Sequence, residues 1–268
     1  MSTKLRPLRE FSTDARHAVR FVLFDIDETL TTDGRLTSQA YTALEDLHNA
    51  GLQTVPITGR PAGWCDHIAR MWPVDGVVGE NGAFYYRYDR SAQRMISHYA
   101  ADEATRAENR KRLEELGRRI LAEVPGAGIS SDQFCREADL AVDFCEDVPP
   151  LSPDDITRIV QMFKDAGAQA KVSSIHVNGW YGDYDKLTMT KTFLAREFGV
   201  DPDKTNQTIV FAGDSPNDAP MFGFFKNAVG VANVMDLKGA LDAEPAYVTT
   251  ARSGAGFSEL AKALLNSR

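Results

Sequence analysis

The stretch Val22-Leu23-Phe24-Asp25-Ile26-Asp27-Glu28-Thr29-Leu30 ends an apolar run on an acid and places a second acid two residues later. The β-branched and aromatic residues at 19–24 predict a strand that is buried on both faces. Two carboxylates this close repel each other, which costs stability unless a cation or a reaction uses them. The stretch therefore predicts a chemical site at the carboxyl end of a buried strand.

The composition limits the class of protein. The 268 residues, 43% of them hydrophobic and 25% charged, predict one large globular domain or two smaller ones. The net charge of −8, without a concentrated Lys/Arg run, argues against nucleic acid and anionic membranes as partners. No apolar run approaches the roughly 20 residues that span a bilayer, and residues 1–20 are too polar for a signal peptide. We therefore expect a cytoplasmic protein, a monomer or a homodimer.

The cysteines point to no metal site or disulfide. Cys65, Cys135 and Cys145 are odd in number and form no CxxC pair. We expect reduced thiols that serve packing.

Strands and helices alternate near both ends of the chain, which predicts right-handed βαβ units and a parallel sheet. The runs that indicate core strands lie at 19–24, 52–57, 76–78, 208–212 and 228–231. Residues 84–184 break this alternation with an aromatic strand, a long charged helix and further strands. We predict an α/β protein with a Rossmann-like, doubly wound parallel sheet core and an inserted α+β cap domain. The core is formed by residues 1–83 and 185–268, and the cap by residues 84–184.

Local signals also predict helix ends. Ser38 has the type and position of an N-cap, and Gly51 lies where a C-cap belongs. Ser152 followed by Pro153 predicts another helix start. A further helix is predicted to run from Lys186 to residue 198.

Polar groups follow three of the predicted core strands. They are DIDET at 25–29, TGR at 58–60 and GDSPND at 213–218. In open α/β sheets ligands bind beyond the carboxyl ends of the strands, where the strand order reverses. The three segments are therefore expected to face one crevice.

These residue types suit phosphoryl transfer to a carboxylate. Asp25 can attack phosphorus if a Mg²⁺ screens its repulsion from the phosphate oxygens, and Asp25, Asp214 and Asp218 are the candidate ligands. Asp27 can protonate the leaving oxygen and later take a proton from the attacking water. Thr58 offers a hydroxyl and a backbone N–H to the phosphate, and one lysine is expected to offset the remaining charge.

In this order the segments resemble the haloacid dehalogenase (HAD) superfamily of phosphatases, with Lys186 in YDKLTM as the third motif. The resemblance implies that Asp25 is the nucleophile. It implies that Asp27 is the general acid/base through its side chain and a metal ligand through its carbonyl. Asp214 would be a metal ligand and Asp218 would support the metal, while Thr58 and Lys186 would hold the phosphate.

The insertion between the second and third motifs resembles the branch of this superfamily with a large α+β cap (subfamily IIB, Cof-type). GENGA at 79–83, together with TGR, is similar to sugar-phosphate phosphatases and their phosphomannomutase relatives. Gly59, Arg60, Asn81 and Asn217 are accordingly candidate substrate contacts.

Structural readings compete at several of these positions. DxDxT fails as a calcium-binding EF-hand loop, because Leu30 and Leu36 occupy the glycine and glutamate positions. Lys191 competes with Lys186, which the dipole of a helix start favours. Asn217 is either an N-cap or a ligand, and Asn81 either closes a turn or contacts substrate. Arg60 either pairs with a core acid or touches substrate.

In the predicted cap, His176, Asn178 and Trp180 alternate along a strand and share one face. Such a stripe is either ordinary sheet surface or a wall for a sugar, and His176 and Trp180 are the candidate substrate contacts. The other histidines lack ligand spacing.

The sequence predicts a Mg²⁺-dependent phosphatase that acts on a small phosphomonoester, a sugar phosphate, through an aspartyl-phosphate. A sugar phosphomutase of the phosphomannomutase type is the alternative, and a non-catalytic sugar-phosphate sensor is a more remote one. A dehalogenase is disfavoured, since the resemblance implies that such enzymes lack the second aspartate, which is Asp27 here.

Overall fold

The computed structural model describes residues 5–173, 175–237, 239 and 241–268. The helices are α1 Thr13–His17, α2 Ser38–Asn49, α3 Ala62–Met71, α4 Glu103–Glu123, α5 Pro153–Asp165, α6 Lys186–Phe198, α7 Pro202–Thr205, α8 Ala219–Phe224 and α9 Ser253–Leu265. The strands are β1 Arg6–Pro7, β2 Phe21–Phe24, β3 Gln53–Pro56, β4 Val77–Gly79, β5 Phe84–Asp89, β6 Arg94–Tyr99, β7 Gly128–Ile129, β8 Asp139–Asp143, β9 Gln169–Val172, β10 His176–Trp180, β11 Ile209–Gly213, β12 Asn227–Gly230 and β13 Tyr247–Val248. Within these ranges no helix is both long and apolar enough to cross a membrane.

The core is a parallel sheet in the order β1-β13-β12-β11-β2-β3. A parallel bridge between Ile57 and Val78 places β4 next to β3. Every residue of β2 and β11 is buried, as expected for strands covered by helices on both faces. The chain runs outward from β2 through β3 on one side and from β11 on the other. The strand order therefore reverses between β2 and β11, and a crevice opens at their carboxyl ends.

The cap contains a separate antiparallel sheet in the order β7-β8-β10-β9. Helices α4 and α5 cover one face of it and bury Leu113, Ile120, Ile159 and Phe163 in their own hydrophobic cluster. The predicted α/β class with a parallel core and an inserted cap is thus confirmed.

The hairpin β5–β6 belongs to the core by its packing. Phe84 and Tyr86 lie in the cluster on one side of the core sheet, and Tyr85 lies in the cluster on the other side. Neither strand contributes to the cap cluster described above. We therefore propose that the inserted unit begins after Tyr99 rather than at residue 84.

Several predicted helix ends match the structure. Helix α6 spans the predicted 186–198, Ser152 caps α5, and Gly51 has a φ of 81° just after the C-cap of α2. The prediction for Ser38 was wrong by one residue: the side chain of Thr37 accepts the N–H of Ala40 and is the N-cap of α2.

Candidate active site

The loops after β2 and β11 meet at the crevice. The N–H of Asp25 donates to the carbonyl of Ala212, which continues the β2–β11 ladder to its end. Beyond this point the hydroxyl of Thr29 donates to Asp214 Oδ1 at 2.8 Å. The first and fourth predicted motifs are therefore in direct contact.

Lys186 lies between two buried carboxylates. Its Nζ is 2.9 Å from Asp218 Oδ1 and 3.2 Å from Asp25 Oδ2, and all three side chains are buried. Although burial disfavours the ammonium, these two carboxylates raise the pKa of Lys186, so it is a permanent cation here. Lys191 instead pairs with Asp203 at the surface. The structure thus brings Lys186 rather than Lys191 to the cluster.

Asp218 braces the loop after β11. Its Oδ2 accepts the backbone N–H groups of Asp214 and Ser215 while its Oδ1 binds Lys186. A side chain on Gly213 would collide with this carboxylate. The GDSPND turn is therefore built around Asp218, which holds Asp214 toward the crevice.

When ionised, the three carboxylates of the acidic cluster carry two more negative charges than Lys186 can neutralise. Asp25, Asp214 and Asp218 each offer an oxygen, and these oxygens lie within 4.8 Å of one another. Burial, followed by the neighbouring carboxylates, raises the pKa of Asp214 to about 8. Burial also raises the pKa of Asp25 to about 7, against the opposing effect of Lys186. An all-oxygen donor set that resists ionisation without a further cation fits a hard divalent metal ion.

Asp27 does not join this cluster. Arg60 donates from Nε and Nη2 to its carboxylate at 2.7 to 3.0 Å, and the guanidinium stacks over Trp64 at 4.5 Å. Arg60 was predicted either to pair with an acid or to contact substrate, and in this structure it pairs with Asp27. Both side chains also line the cavity, where a bound phosphate would meet them.

The TGR segment differs from its prediction in one respect. The N–H of Thr58 donates to the carbonyl of Val78, so it is not available to a phosphate. The Thr58 hydroxyl accepts the N–H of Arg60, and the residue is fully buried. Gly59 and Asn81 are packed against each other at the cavity wall.

The crevice is closed by the cap to a cavity of about 50 Å³. Its floor is formed by residues of the core, namely Asp25, Asp27, Gly59, Arg60, Asn81, Asp214, Ser215 and Asn217. Its roof is formed by residues of the cap, namely Arg136, Lys171, Ser173, Ile175, His176 and Asn178.

Only part of the face of β10 that carries His176, Asn178 and Trp180 lies at this cavity. His176 and Asn178 line it, whereas Trp180 stacks on Tyr184 at 5.8 Å and is not among the lining residues described. The prediction that Trp180 contacts substrate was therefore wrong for this cavity. Burial, with Arg136 nearby, lowers the pKa of His176 to about 4, so its ring is neutral at pH 7.

The sequence did not predict Arg136, a buried cation in the roof of the cavity. Arg136 is buried, and it donates to Asp139 at 2.9 and 3.1 Å and to the carbonyl of Gly59 at 3.2 Å. It lies in an irregular segment before β8 without a motif of its own. The sequence carries no local signal for this pair, because a spacing of three residues predicts a contact only on a helix.

The comparisons with known proteins agree with this geometry. The family model of the haloacid dehalogenase-like hydrolases matches residues 22–131. No curated protein matches the chain.

Solved structures share the fold over nearly the whole chain. A Thermoplasma acidophilum protein has a TM-score of 0.69 at 19% identity, covering 92% of this chain and 98% of that one. A Plasmodium vivax protein described as a HAD/COF-like hydrolase has a TM-score of 0.67 at 17% identity, covering 96% and 100%. The sucrose-phosphatase of a Synechocystis species, solved with sucrose and phosphate, has a TM-score of 0.61 at 16% identity, covering 91% and 97%. The family match over residues 22–131 and the shared fold support the predicted resemblance to the haloacid dehalogenase-like hydrolases.

The acidic cluster predicts a linked response to pH and Mg²⁺. The raised pKa values of Asp25 and Asp214, against an ordinary value of 3.8, mean that the folded metal-free protein retains protons that the unfolded chain has lost. The metal-free protein therefore loses stability as the pH rises from about 4 to 8. Mg²⁺ requires the ionised ligands, so its stabilising effect grows over the same interval. Melting temperatures with millimolar Mg²⁺ or with chelator, at pH 5 and pH 8, test this.

The control is Asp203, which is exposed and pairs with Lys191 at the surface. Asp203→Asn should keep the wild-type Mg²⁺ shift, whereas Asp214→Asn should lose most of it. An equal shift in all three proteins would contradict a metal site at this cluster.

Proposed function

We propose that the protein hydrolyses a small phosphomonoester, a sugar phosphate, through a phosphorylated Asp25 with Mg²⁺ as its cofactor. The observation that carries the proposal is the convergence of Asp25, Lys186 and Asp214 beneath the cap, with Asp27 on the same cavity wall. A buried carboxylate with a lysine at 3.2 Å, and with a second acid, Asp27, on the same cavity wall, suits attack on an anionic ester.

Asp25 Oδ would form a bond to phosphorus while the bond from phosphorus to the leaving oxygen breaks. Ile26 N–H donates to Asp25 Oδ1 at 2.9 Å, and Lys186 contacts Oδ2, so the carboxylate has a fixed orientation. Lys186 also offsets charge on the transferring group. Mg²⁺ at Asp25 and Asp214 would screen the repulsion between the nucleophile and the phosphate oxygens.

Asp27 would protonate the leaving oxygen and then accept a proton from the water that attacks phosphorus. That water displaces Asp25 and yields inorganic phosphate, so the proton that Asp27 gave is restored. In the present state Arg60 holds Asp27 by three hydrogen bonds. A substrate phosphate offers Arg60 a second anion, and we propose that this competition releases the Asp27 carboxylate, which takes up a proton from solvent before it protonates the leaving oxygen.

The charge balance of the roof favours an uncharged leaving group. Arg136 is already matched by Asp139 and Asp132, at 2.9 and 3.3 Å. Lys171 is exposed, and the structure gives it no ion pair within the described residues. The remaining roof groups include the neutral His176 ring and the Asn178 amide. Hydroxyl groups of a sugar match the neutral ring, the amide and the paired guanidinium better than a second phosphate does.

The cavity is too small for a sugar phosphate. About 50 Å³ holds one or two water molecules, each of which takes about 30 Å³ in the liquid. Small-ligand pockets are usually about 300 to 1,000 Å³. We propose that the cap opens to admit the substrate and closes over it, which excludes bulk water during attack.

The most direct test is release of inorganic phosphate from a panel of phosphorylated metabolites with Mg²⁺. Asp25→Asn nearly conserves volume but removes the attacking charge, so the rate on the best substrate should fall at least about a thousandfold. The control Asp66→Asn breaks only an exposed pair with Arg70 and should remain within about twofold. A residual rate of several per cent in folded Asp25→Asn would contradict its role as nucleophile.

The same panel separates the rival functions. A phosphomutase would need a bisphosphate and return the phosphoryl group without net release of phosphate. A sensor would bind a sugar phosphate without turnover. The matched charge of Arg136 argues against a second phosphate subsite, so we expect hydrolysis.

The roof of the cavity should choose the substrate, because the core recognises only features that all phosphomonoesters share. Asn178→Ala should lower kcat/KM for the best sugar phosphate by about 5- to 150-fold, the effect of losing one buried hydrogen-bonding partner. Hydrolysis of acetyl phosphate, which lacks a sugar, should stay within a few-fold. Trp180→Phe is the matched control on the same strand and should affect neither. An equal loss on both substrates in Asn178→Ala would mean that the residue serves the fold.

A further inference from the structure

Glu80 takes no part in the cluster described above, yet it is completely buried between core and cap. Its Oε1 accepts the N–H groups of Ala62 and Glu137, each at 2.9 Å. Its Oε2 accepts the N–H groups of Ala138 and Asp139, at 2.6 and 3.2 Å. One core side chain therefore binds three consecutive backbone amides of the cap and the first amide of helix α3.

These contacts fit an ionised carboxylate. Burial, followed by the nearby Asp139, raises the pKa of Glu80, against the opposing effects of Arg136 and the cap N–H groups. Each oxygen already accepts two N–H groups, so a carboxyl proton would find no acceptor and would displace a donor. Successive backbone N–H groups form a concave anion site, and Glu80 occupies it.

The segment that Glu80 binds carries the roof of the cavity. Asp139, whose N–H is bound by Glu80, accepts hydrogen bonds from Arg136 and from the Asn178 amide at 3.0 Å. Arg136 in turn donates to the carbonyl of Gly59 in the core. A displacement of residues 137–139 would therefore move Arg136 and Asn178 together relative to the floor.

The backbone at Glu80 adopts an unusual conformation that directs this side chain to the cap. Glu80 and Asn81 have φ angles of 43° and 55°, a conformation that side chains other than glycine disfavour. The two residues consequently point to different partners: Asn81 lines the cavity, and Glu80 reaches the cap. Strained turns of this kind persist where surrounding contacts hold them.

We infer that Glu80 is a positioning residue, which binds cap residues 137–139 to the core and thereby sets Arg136 and Asn178 over the reacting groups. The claim about position stands on the contacts alone. Its consequence for catalysis rests on the proposed function.

Amide hydrogen exchange, read residue by residue by NMR, tests the positioning directly. Glu80→Gln replaces one accepting oxygen by an NH₂ group, which faces N–H donors and cannot accept from them. Exchange at Glu137, Ala138 and Asp139 should accelerate about tenfold or more, while the amides of β10 keep their wild-type rates. If Glu80→Gln does not fold, Glu80→Asp, which keeps the charge but shortens its reach, should give the same local pattern.

Glu137→Gln is the matched control. It removes surface pairs with Arg106 and Arg110 from the same segment and leaves the backbone N–H in place. It should leave exchange at Ala138 and Asp139 unchanged. Unchanged exchange at 137–139 in the Glu80 variants, or equal acceleration throughout the cap and core, would overturn the inference.

Kinetics supply the second arm. In Glu80→Gln, kcat/KM for the best sugar phosphate should fall about 5- to 100-fold, mainly through KM, while acetyl phosphate hydrolysis stays within about threefold. Equal losses on both substrates would contradict a positioning role. If the wild-type protein releases phosphate from no substrate, the proposed function is refuted. The exchange measurement would still test whether Glu80 holds residues 137–139 in place.

Discussion

Repulsion among three buried carboxylates is the constraint on which the rest of this structure depends. Asp25, Asp214 and Asp218 lie at the reversal point of the core sheet, where little water can screen them. Lys186, at the first residue of α6, supplies one positive charge to the cluster. The remaining negative charge calls for a further cation, and a carboxylate beside such a cation suits the proposed phosphoryl transfer.

A second constraint acts between core and cap. Under the proposed function, the core floor would bind the phosphate, the metal ion and the leaving oxygen, and the roof would supply selectivity. In the closed state, the roof would then have to lie at a defined distance from Asp25. The strained turn at 80–82 meets this need from the core side, with Asn81 at the floor and Glu80 bound to the segment that carries Arg136. Gly82 completes the turn, since any side chain there would overlap the backbone of Asp185, just before Lys186.

The sequence predicted the parts whose geometry is local or follows from sheet topology. Asp25 and Asp214 were expected together because parallel strands end at the same edge, and α6 was bounded correctly because its residues carry ordinary helix signals. Ser38 and Thr37 are both good N-caps, so type alone could not choose between them. The Thr58 N–H was assigned to phosphate because the bridge to Val78 depends on a strand neighbour that the sequence does not specify.

The cap was harder to predict for a physical reason. Alternation along β10 correctly placed His176, Asn178 and Trp180 on one face, but a face extends beyond the cavity. Trp180 lies past its edge, against Tyr184. Arg136 and Glu80 were missed because their partners are backbone groups and side chains brought together only by the docking of cap on core.

The central claim, that Asp25 carries the phosphoryl group, is most directly tested by trapping it. The protein is quenched with acid during turnover and treated with borohydride, which reduces an acyl phosphate to an alcohol, and its peptides are then sequenced by mass spectrometry. We expect homoserine in place of aspartate at position 25, formed only when substrate and Mg²⁺ are both present. An unmodified Asp25 in protein quenched during rapid steady turnover, or a phosphoryl group on another residue, would contradict it.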